Sequence, residues 1–199
     1  MKTLLLLGND KIAGKALGQI EKTNSLHICV DHSTSLRRIA RLLAMQSISP
    51  LLLIKMAFCE LTRPGSRPDP GLTKIRSNAE LAREMDEIRP SRLILFRAGL
   101  IVNKALIDKG MPVLNVHAAE VPQYGGLGSI AKALADKAHE QAACLHLVTE
   151  RIDGGHVLAR EKYRLNPNVS YCENEKIAYA AATRLLKSAA SPAFQETST

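Results

Sequence analysis

Tryptophan is absent from this 199-residue chain, and phenylalanine and tyrosine together contribute only three and four residues. A core built from it must be aliphatic, and folds that stack nucleic-acid bases on exposed aromatic platforms are disfavoured. The four cysteines, Cys29, Cys59, Cys144 and Cys172, form no CxxC pair and have no histidine at metal-ligand spacing. Neither a zinc site nor a disulfide framework is therefore expected. Cys29 and Cys144 lie in apolar stretches and read as buried small hydrophobes. Long apolar runs are missing too: the longest candidate, from about Pro50 to Leu61, contains Lys55 and is too short to span a bilayer. The opening run to Leu7 is too short for a signal peptide and is cut off by Gly8, Asn9, Asp10 and Lys11. These absences lead to the expectation of a cytoplasmic protein with no membrane partner.

What is present is ordinary for a globular chain: 46% apolar and 23% charged residues. One domain over residues 1–190 is expected, followed by a polar tail at 191–199. The net charge of +8 is spread along the chain, and its densest run is Arg37, Arg38 and Arg41. On a helix such a run is a solvated face. A diffuse positive field raises the encounter rate with anionic small molecules without choosing among them.

The order of apolar segments indicates an α/β fold, a Rossmann-like open and mostly parallel sheet with helices on both faces. Thr3 to Leu7 is a continuous apolar run stopped by Gly8, as in a strand buried on both faces. Ile12 to Ile20 has helical spacing, and Leu26 to Val30 reads as a second strand. Ser33, Thr34 or Ser35 is placed to cap a helix carrying Leu36 to Leu43. This strand–helix alternation is the pattern of parallel crossovers. Leu51 to Leu61 fits helix or strand. Thr62 to Thr73, with its prolines and glycines, reads as a mobile surface loop open to trypsin at Arg63 and Arg67. A helix is expected over Asn78–Ile88, a strand over Arg92–Phe96, a short helix over Asn103–Asp108, and a strand over Pro112–Val116. After these come a helix over Leu127–Ala138, strands over Ala142–Thr149 and His156–Tyr163, and a closing helix over Glu173–Ala189.

His117 falls just past the strand over Pro112–Val116, where open α/β sheets place their ligands. Asn115 and His117 are two apart, so in an extended segment both face one cavity. Asn supplies an N–H donor to an oxygen gaining charge, His donates or relays a proton, and an Asp from a nearby loop such as Asp153 orients the ring. Such a trio stabilises a tetrahedral intermediate at a carbonyl. Neither Ser129 nor Cys144 sits on a nucleophile-elbow pattern, which favours direct attack of one substrate on another. His27, His32, His139, His146 and His156 are assigned no ligand role.

The stretch VLNVHAAEVPQYGGLGSIAKAL, followed by LHLVTERIDGGHVLAREKY, closely resembles the formyltransferases that use 10-formyltetrahydrofolate. That family carries an Asn-x-His strand end, a Pro-x-aromatic-x-Gly loop entering a helix, a hydrophobic strand and an Asp-x-Gly-x-hydrophobic turn. SNAELAREMDEIRPSRLILFRAGLIVNKALI looks like the family's preceding helix and strand, and LLLLGNDKIAGKAL like its first strand and phosphate-side loop. The resemblance is specific from about Ser77 to Lys162 and essentially absent between Arg38 and Arg76. It implies that Asn115 and His117 polarise the formyl oxygen and that Asp153 positions His117 and aids proton transfer; a carboxylate there would also favour the protonated ring. It implies further that Gly99, Leu100, Ile101, Val102, Ile152 and Gly154 border the pterin, and that Gly8, Asn9, Glu120, Tyr124 and Gly126 face the acceptor.

Ala119-Glu120-Val121 and Gly125 depart from the family pattern on the acceptor side. The donor implied is 10-formyltetrahydrofolate, without a metal. The acceptor implied is a small-molecule amine, with a glycinamide ribonucleotide, an amino-sugar nucleotide and a hydroxylated amino acid all consistent. Transfer RNA is not expected, because only the short polar tail follows the closing helix. The alternatives within the resemblance are a formyltetrahydrofolate hydrolase and a non-catalytic folate-binding protein.

Overall fold

The computed structural model describes residues 2–33 and 49–194. The expected helix over Leu36–Leu43, its arginine run and the tail beyond Phe194 lie outside the described residues. The elements run β1 (Thr3–Leu7), α1 (Lys11–Leu17), β2 (Leu26–Asp31), α2 (Pro50–Thr62), β3 (Thr73–Ile75), α3 (Asn78–Ile88), β4 (Arg92–Phe96), α4 (Lys104–Ile107), β5 (Val113–His117), α5 (Ser129–Ala135), β6 (Glu140–Leu147), β7 (Val157–Arg164) and α6 (Tyr171–Ala190). They form one seven-stranded sheet in the order β3-β2-β1-β4-β5-β6-β7. The first five strands of that order are parallel, and β6 and β7 are antiparallel additions.

Every residue of β1 and β4 is buried, which is why both strands read as apolar runs. Alternate residues divide between two cores. Leu5, Leu7, Ile94, Phe96, Leu114 and Val116 pack under α1, α5 and α6. Leu4, Leu6, Leu93, Leu95 and Val113 pack on the other face with Cys29, Leu81 and Met85. Helix α6 buries Ala178, Ala181, Ala182, Leu185, Leu186 and Ala189, a stripe at helical spacing whose small residues let the backbone approach the sheet. Asp10, Ser49, Ser77, Asn103 and Ser170 cap their helices, each side chain accepting a backbone N–H in the first turn.

One open choice is settled and one expectation is corrected. The ambiguous segment at 51–61 is helix α2, started by the Ser49 cap and a proline in its first turn. The loop after it lies mostly at the surface, as expected, but is anchored at Arg63 and against Gly14. Arg63 is buried, its carbonyl accepts Lys11 Nζ at 2.7 Å, and a Cβ on Gly14 would lie 2.1 Å from the Ser66 carbonyl oxygen. Its end forms the edge strand β3, too short at three residues to show a period. Finally, Cys59 and Cys172 are disulfide-bonded, with their Cα atoms 5.4 Å apart across a sequence separation of 113. No local spacing signals such a pair. The bridge joins α2 to α6, and the buried Arg63–Glu175 ion pair ties the chain just after α2 to the same helix. Elsewhere, element ends move by a few residues; His117 is the last residue of β5 rather than the first beyond it.

Candidate active site

A cavity of about 620 Å³ opens at the carboxyl ends of β4 and β5. Asn115 and His117 reach it from the same face of β5. The antiparallel pairing of β5 with β6 sets His146 directly opposite Asn115. The chain then turns back between β6 and β7, with Asp153 in a left-handed conformation at φ 47°. That return is tight because Gly155 lies against β6: a Cβ there would stand 1.9 Å from the Leu147 carbonyl oxygen.

Asp153 is the hub. Its Oδ2 accepts the Gly126 N–H at 2.7 Å and lies 3.4 Å from His117 Nδ1. Its Oδ1 accepts Asn115 Nδ2 at 3.1 Å and lies 3.3 Å from His146 Nε2. Burial acts to raise the Asp153 pKa. It is outweighed by the hydrogen bond that protonated His146 donates from Nε2, the positive charge of protonated His117 and the Gly126 N–H, which together hold the carboxyl well below the usual carboxylate range. Asp153 is therefore ionised at every working pH.

For His117 the Asp153 carboxylate favours the protonated form, as expected, but burial outweighs it. Burial pushes its pKa below the ordinary histidine value, and the opposing pull of Asp153 and the Tyr124 carbonyl does not restore it; His146 and Lys132 lower it further. At 3.4 Å the Asp153 contact is long for a charge-assisted hydrogen bond. Nε2 donates to the Tyr124 carbonyl at 2.9 Å, so the neutral ring keeps an unprotonated Nδ1 facing Asp153. His117 is thus a base at rest, beside an anion that stabilises its conjugate acid.

His146, assigned no role from the sequence, belongs to this cluster. Its Nδ1 donates to the Leu147 carbonyl at 2.9 Å, leaving Nε2 to accept from Asn115 Nδ2 at 3.2 Å. Both Asn115 N–H bonds are consequently engaged within the cluster. The missed signal was register: β6 runs back along β5, which brings His146 onto Asn115.

The wall of the cavity is Gly99 to Val102 on one side and Ile152 on the other. Ile101 and Ile152 are 59% and 63% exposed, large apolar side chains at the rim. Asp31, at the end of β2, fixes this wall: its carboxylate accepts the Gly99 N–H and, at 2.8 Å, the Leu100 N–H. At the far end stand Met56, Arg97, Tyr171, Glu175 and Tyr179. There buried Glu175 pairs with Arg63 and Arg97, Arg97 also pairs with Asp10, and its guanidinium lies 4.3 Å from the centre of the Tyr179 ring.

Several expected acceptor contacts fall elsewhere. Gly8 and Asn9 do not line the cavity; Gly8 backs onto Arg97, where a Cβ would meet its carbonyl oxygen at 2.5 Å. Glu120 is turned away and pairs with Arg160 at 2.8 Å. The Tyr124 ring is buried in the core, so this residue gives the site its carbonyl and not its phenol. Gly126 lines the cavity, whereas Gly154 does not.

A family model described as formyl transferase matches residues 64–186. The chain belongs to the formyl transferase family. The match begins upstream of Ser77, within the segment between Arg38 and Arg76 where no resemblance is expected, and runs past Lys162. Curated relatives include the methionyl-tRNA formyltransferase of Campylobacter jejuni strain 81-176, 31% identical over 78 residues, or 39% of this chain and 25% of the relative. That of Neisseria meningitidis strain FAM18 is 26% identical over 115 residues, 57% of this chain and 36% of the relative. The chain thus spans about a quarter to a third of the length of these relatives. Among solved structures, a likely sugar N-formyltransferase from Mycobacterium tuberculosis superposes with a TM-score of 0.64 at 18% identity, covering 94% of this chain and 65% of the other. The phosphoribosylglycinamide formyltransferase of Campylobacter jejuni superposes with a TM-score of 0.60 at 14% identity, covering 94% of each chain. A formyltetrahydrofolate deformylase from Pseudomonas syringae gives 0.62 at 14% identity, covering 95% of this chain and 61% of the other. At these identities the formyl transferase fold is what is shared.

Proposed function

We propose that the protein transfers a formyl group from 10-formyltetrahydrofolate to the amine of a small molecule. The observation that carries this reading is the Asn115–His117–His146–Asp153 cluster at the point where an apolar wall meets a polar, charged end of one cavity. The pterin would lie against Gly99–Val102 and Ile152, and the acceptor toward Arg97, Tyr171 and Glu175. The amine nitrogen attacks the formyl carbon, and the carbonyl electron pair moves to oxygen. Asn115 turns one Nδ2 hydrogen from His146 to that oxygen. Nδ1 of His117 takes the proton from the attacking nitrogen, and ionised Asp153 stabilises the imidazolium. Collapse breaks the bond to N10 of the folate, His117 returns the proton there, and a formamide and tetrahydrofolate leave. No metal enters this scheme.

The cytoplasm is proposed as the working compartment, where the Cys59–Cys172 bridge has to persist against a reducing poise. The test is a panel of amines with 10-formyltetrahydrofolate, following tetrahydrofolate release and the mass of the formylated product. Because the curated relatives act on methionyl-tRNA, that acceptor belongs in the panel beside nucleotide-linked amines and amino sugars. Amine-dependent release supports transfer. Release of formate without an acceptor replaces it with hydrolysis, and no turnover with any acceptor refutes both.

A further inference from the structure

A second group of ligand-type side chains lies between β2 and α3, away from the cavity. His27 and Cys29 are two apart on β2, so both project from one face of the sheet, where Glu84 of α3 meets them. One ligand atom from each, a nitrogen, a sulfur and an oxygen, lies within 4.8 Å of the other two. Cys29 is fully buried, while the side chains of His27 and Glu84 are 34% and 16% exposed. A small cavity of about 110 Å³, bordered by Ser25, Leu26, His27 and Ile88, opens beside the imidazole. We propose that Cys29 Sγ, His27 Nε2 and a Glu84 carboxylate oxygen form a site for a divalent cation of the zinc type, its fourth position held by water from the small cavity.

The donor set decides the class of ion. Thiolate and imidazole favour zinc-like metals over magnesium or calcium, which take oxygen ligands. A thiolate and a carboxylate together balance a dipositive ion. Two ligands stand on β2, an inner strand next to the sheet edge, and the third on a helix packed against it, so little ordering is left for the metal to impose. His27 Nε2 and Glu84 Oε1 are 2.6 Å apart, hydrogen-bonded in the metal-free protein. Around a tetrahedral ion they must part to about 3.3 Å, which rotation of the half-exposed imidazole supplies. Burial and the neighbouring Glu84 keep the thiol protonated without metal. On binding, the S–H bond breaks, the sulfur–metal bond forms and the proton passes to solvent. The site escapes motif reading because its third ligand is 57 residues from the first.

The full chain, stripped by a chelator with its disulfide intact, is titrated with Zn²⁺ by calorimetry and with Co²⁺ by absorption. One equivalent of Co²⁺ should bind and give a near-ultraviolet sulfur-to-cobalt charge-transfer band. Cys29→Ser should abolish the band, and His27→Gln and Glu84→Gln should each weaken Zn²⁺ binding by about tenfold or more with an unchanged circular dichroism spectrum. Cys144 is the other free thiol, so a band that survives Cys29→Ser places the ion elsewhere and overturns the proposal. Absence of uptake, or uptake without a sulfur band, overturns it as well. If Cys29→Ser does not fold, the two milder variants decide, and undiminished affinity in both overturns it. Formyl transfer enters none of these readouts, so the outcome stands apart from that assignment.

Discussion

Replacing Asp153 by Asn removes one charge and turns one acceptor into a donor, and the structure fixes what each change costs. Oδ2 accepts the Gly126 N–H and Oδ1 accepts Asn115 Nδ2. With the new NH2 at the Oδ2 position, the Gly126 N–H loses its acceptor. With it at the Oδ1 position, the new group can donate to His146 Nε2, and only the Asn115 contact is lost. The second orientation is the better one and forfeits one hydrogen bond to a charged group, about 1.5–3 kcal/mol. For a domain of this size the melting temperature should fall by about 3–12 °C. The Asp153 pKa is depressed in the folded protein, so its stabilisation is fully present above the ordinary aspartate value of about 3.9 and is lost as pH falls through the folded value. The stability gap between parent and variant is therefore full at neutral pH and closes in acid. Turnover should fall on the order of a hundredfold or more, because the imidazolium formed during transfer has lost its counter-charge. The acid limb of the pH–rate profile reports the deprotonation of His117. The carboxylate is the main group opposing the lowering of the His117 pKa, so its removal should move that limb to lower pH. Stopped-flow or steady-state rates between pH 4 and 9, with thermal melts on the same samples, check all three. A folded variant with near-parental turnover, or an acid limb that stays or moves up, refutes this account of Asp153.

Asn115→Ala removes the donor intended for the developing oxyanion and should lower turnover on the order of a hundredfold, with folate affinity much less changed; equal turnover in single-turnover assays counts against it. Asp31→Ala orphans the Gly99 and Leu100 N–H groups, and should raise the KM for the folate roughly tenfold while kcat changes less. Gly155→Ala forces a methyl group onto the Leu147 carbonyl, costs about 1–3 kcal/mol and displaces Asp153, so stability and rate should fall together. Cys172→Ser releases a closure of 113 residues and should cost on the order of 4–5 kcal/mol in urea unfolding under non-reducing conditions; an unchanged midpoint shows that the bridge contributes nothing.

The central sheet was legible because burial on both faces leaves an apolar run, as in Leu4–Leu7 and Leu93–Phe96. Asn115 and His117 were legible because period two along a strand is a local property. Asp153 was only a weak candidate until the resemblance singled it out, since an isolated Asp-Gly pair reads as a turn. What stayed hidden is non-local. His146 enters the cluster through antiparallel register, and Asp31 reaches the Gly99 wall across the end of β1. Glu175, nearly fully buried, is accommodated by two arginines that no helical pattern pairs with it. The net shift of His117 was hidden for a similar reason: sequence supplies the neighbouring carboxylate but not the depth of burial that outweighs it.

The Cys59–Cys172 bond also makes the protein a covalent ring with two free arms. Gly99–Val102, Asn115, His117, His146 and Asp153 all lie within the ring, while β1, α1 and β2 form one arm and most of α6 the other. A single cut anywhere between residues 59 and 172 linearises the ring without dividing the molecule, because its two ends stay joined at the sulfur atoms. Such a nicked species keeps its full mass on a non-reducing gel and separates into two pieces only with a thiol reductant. A protease that finds the segment between α2 and β3 would thus leave the whole cavity lining attached to one particle.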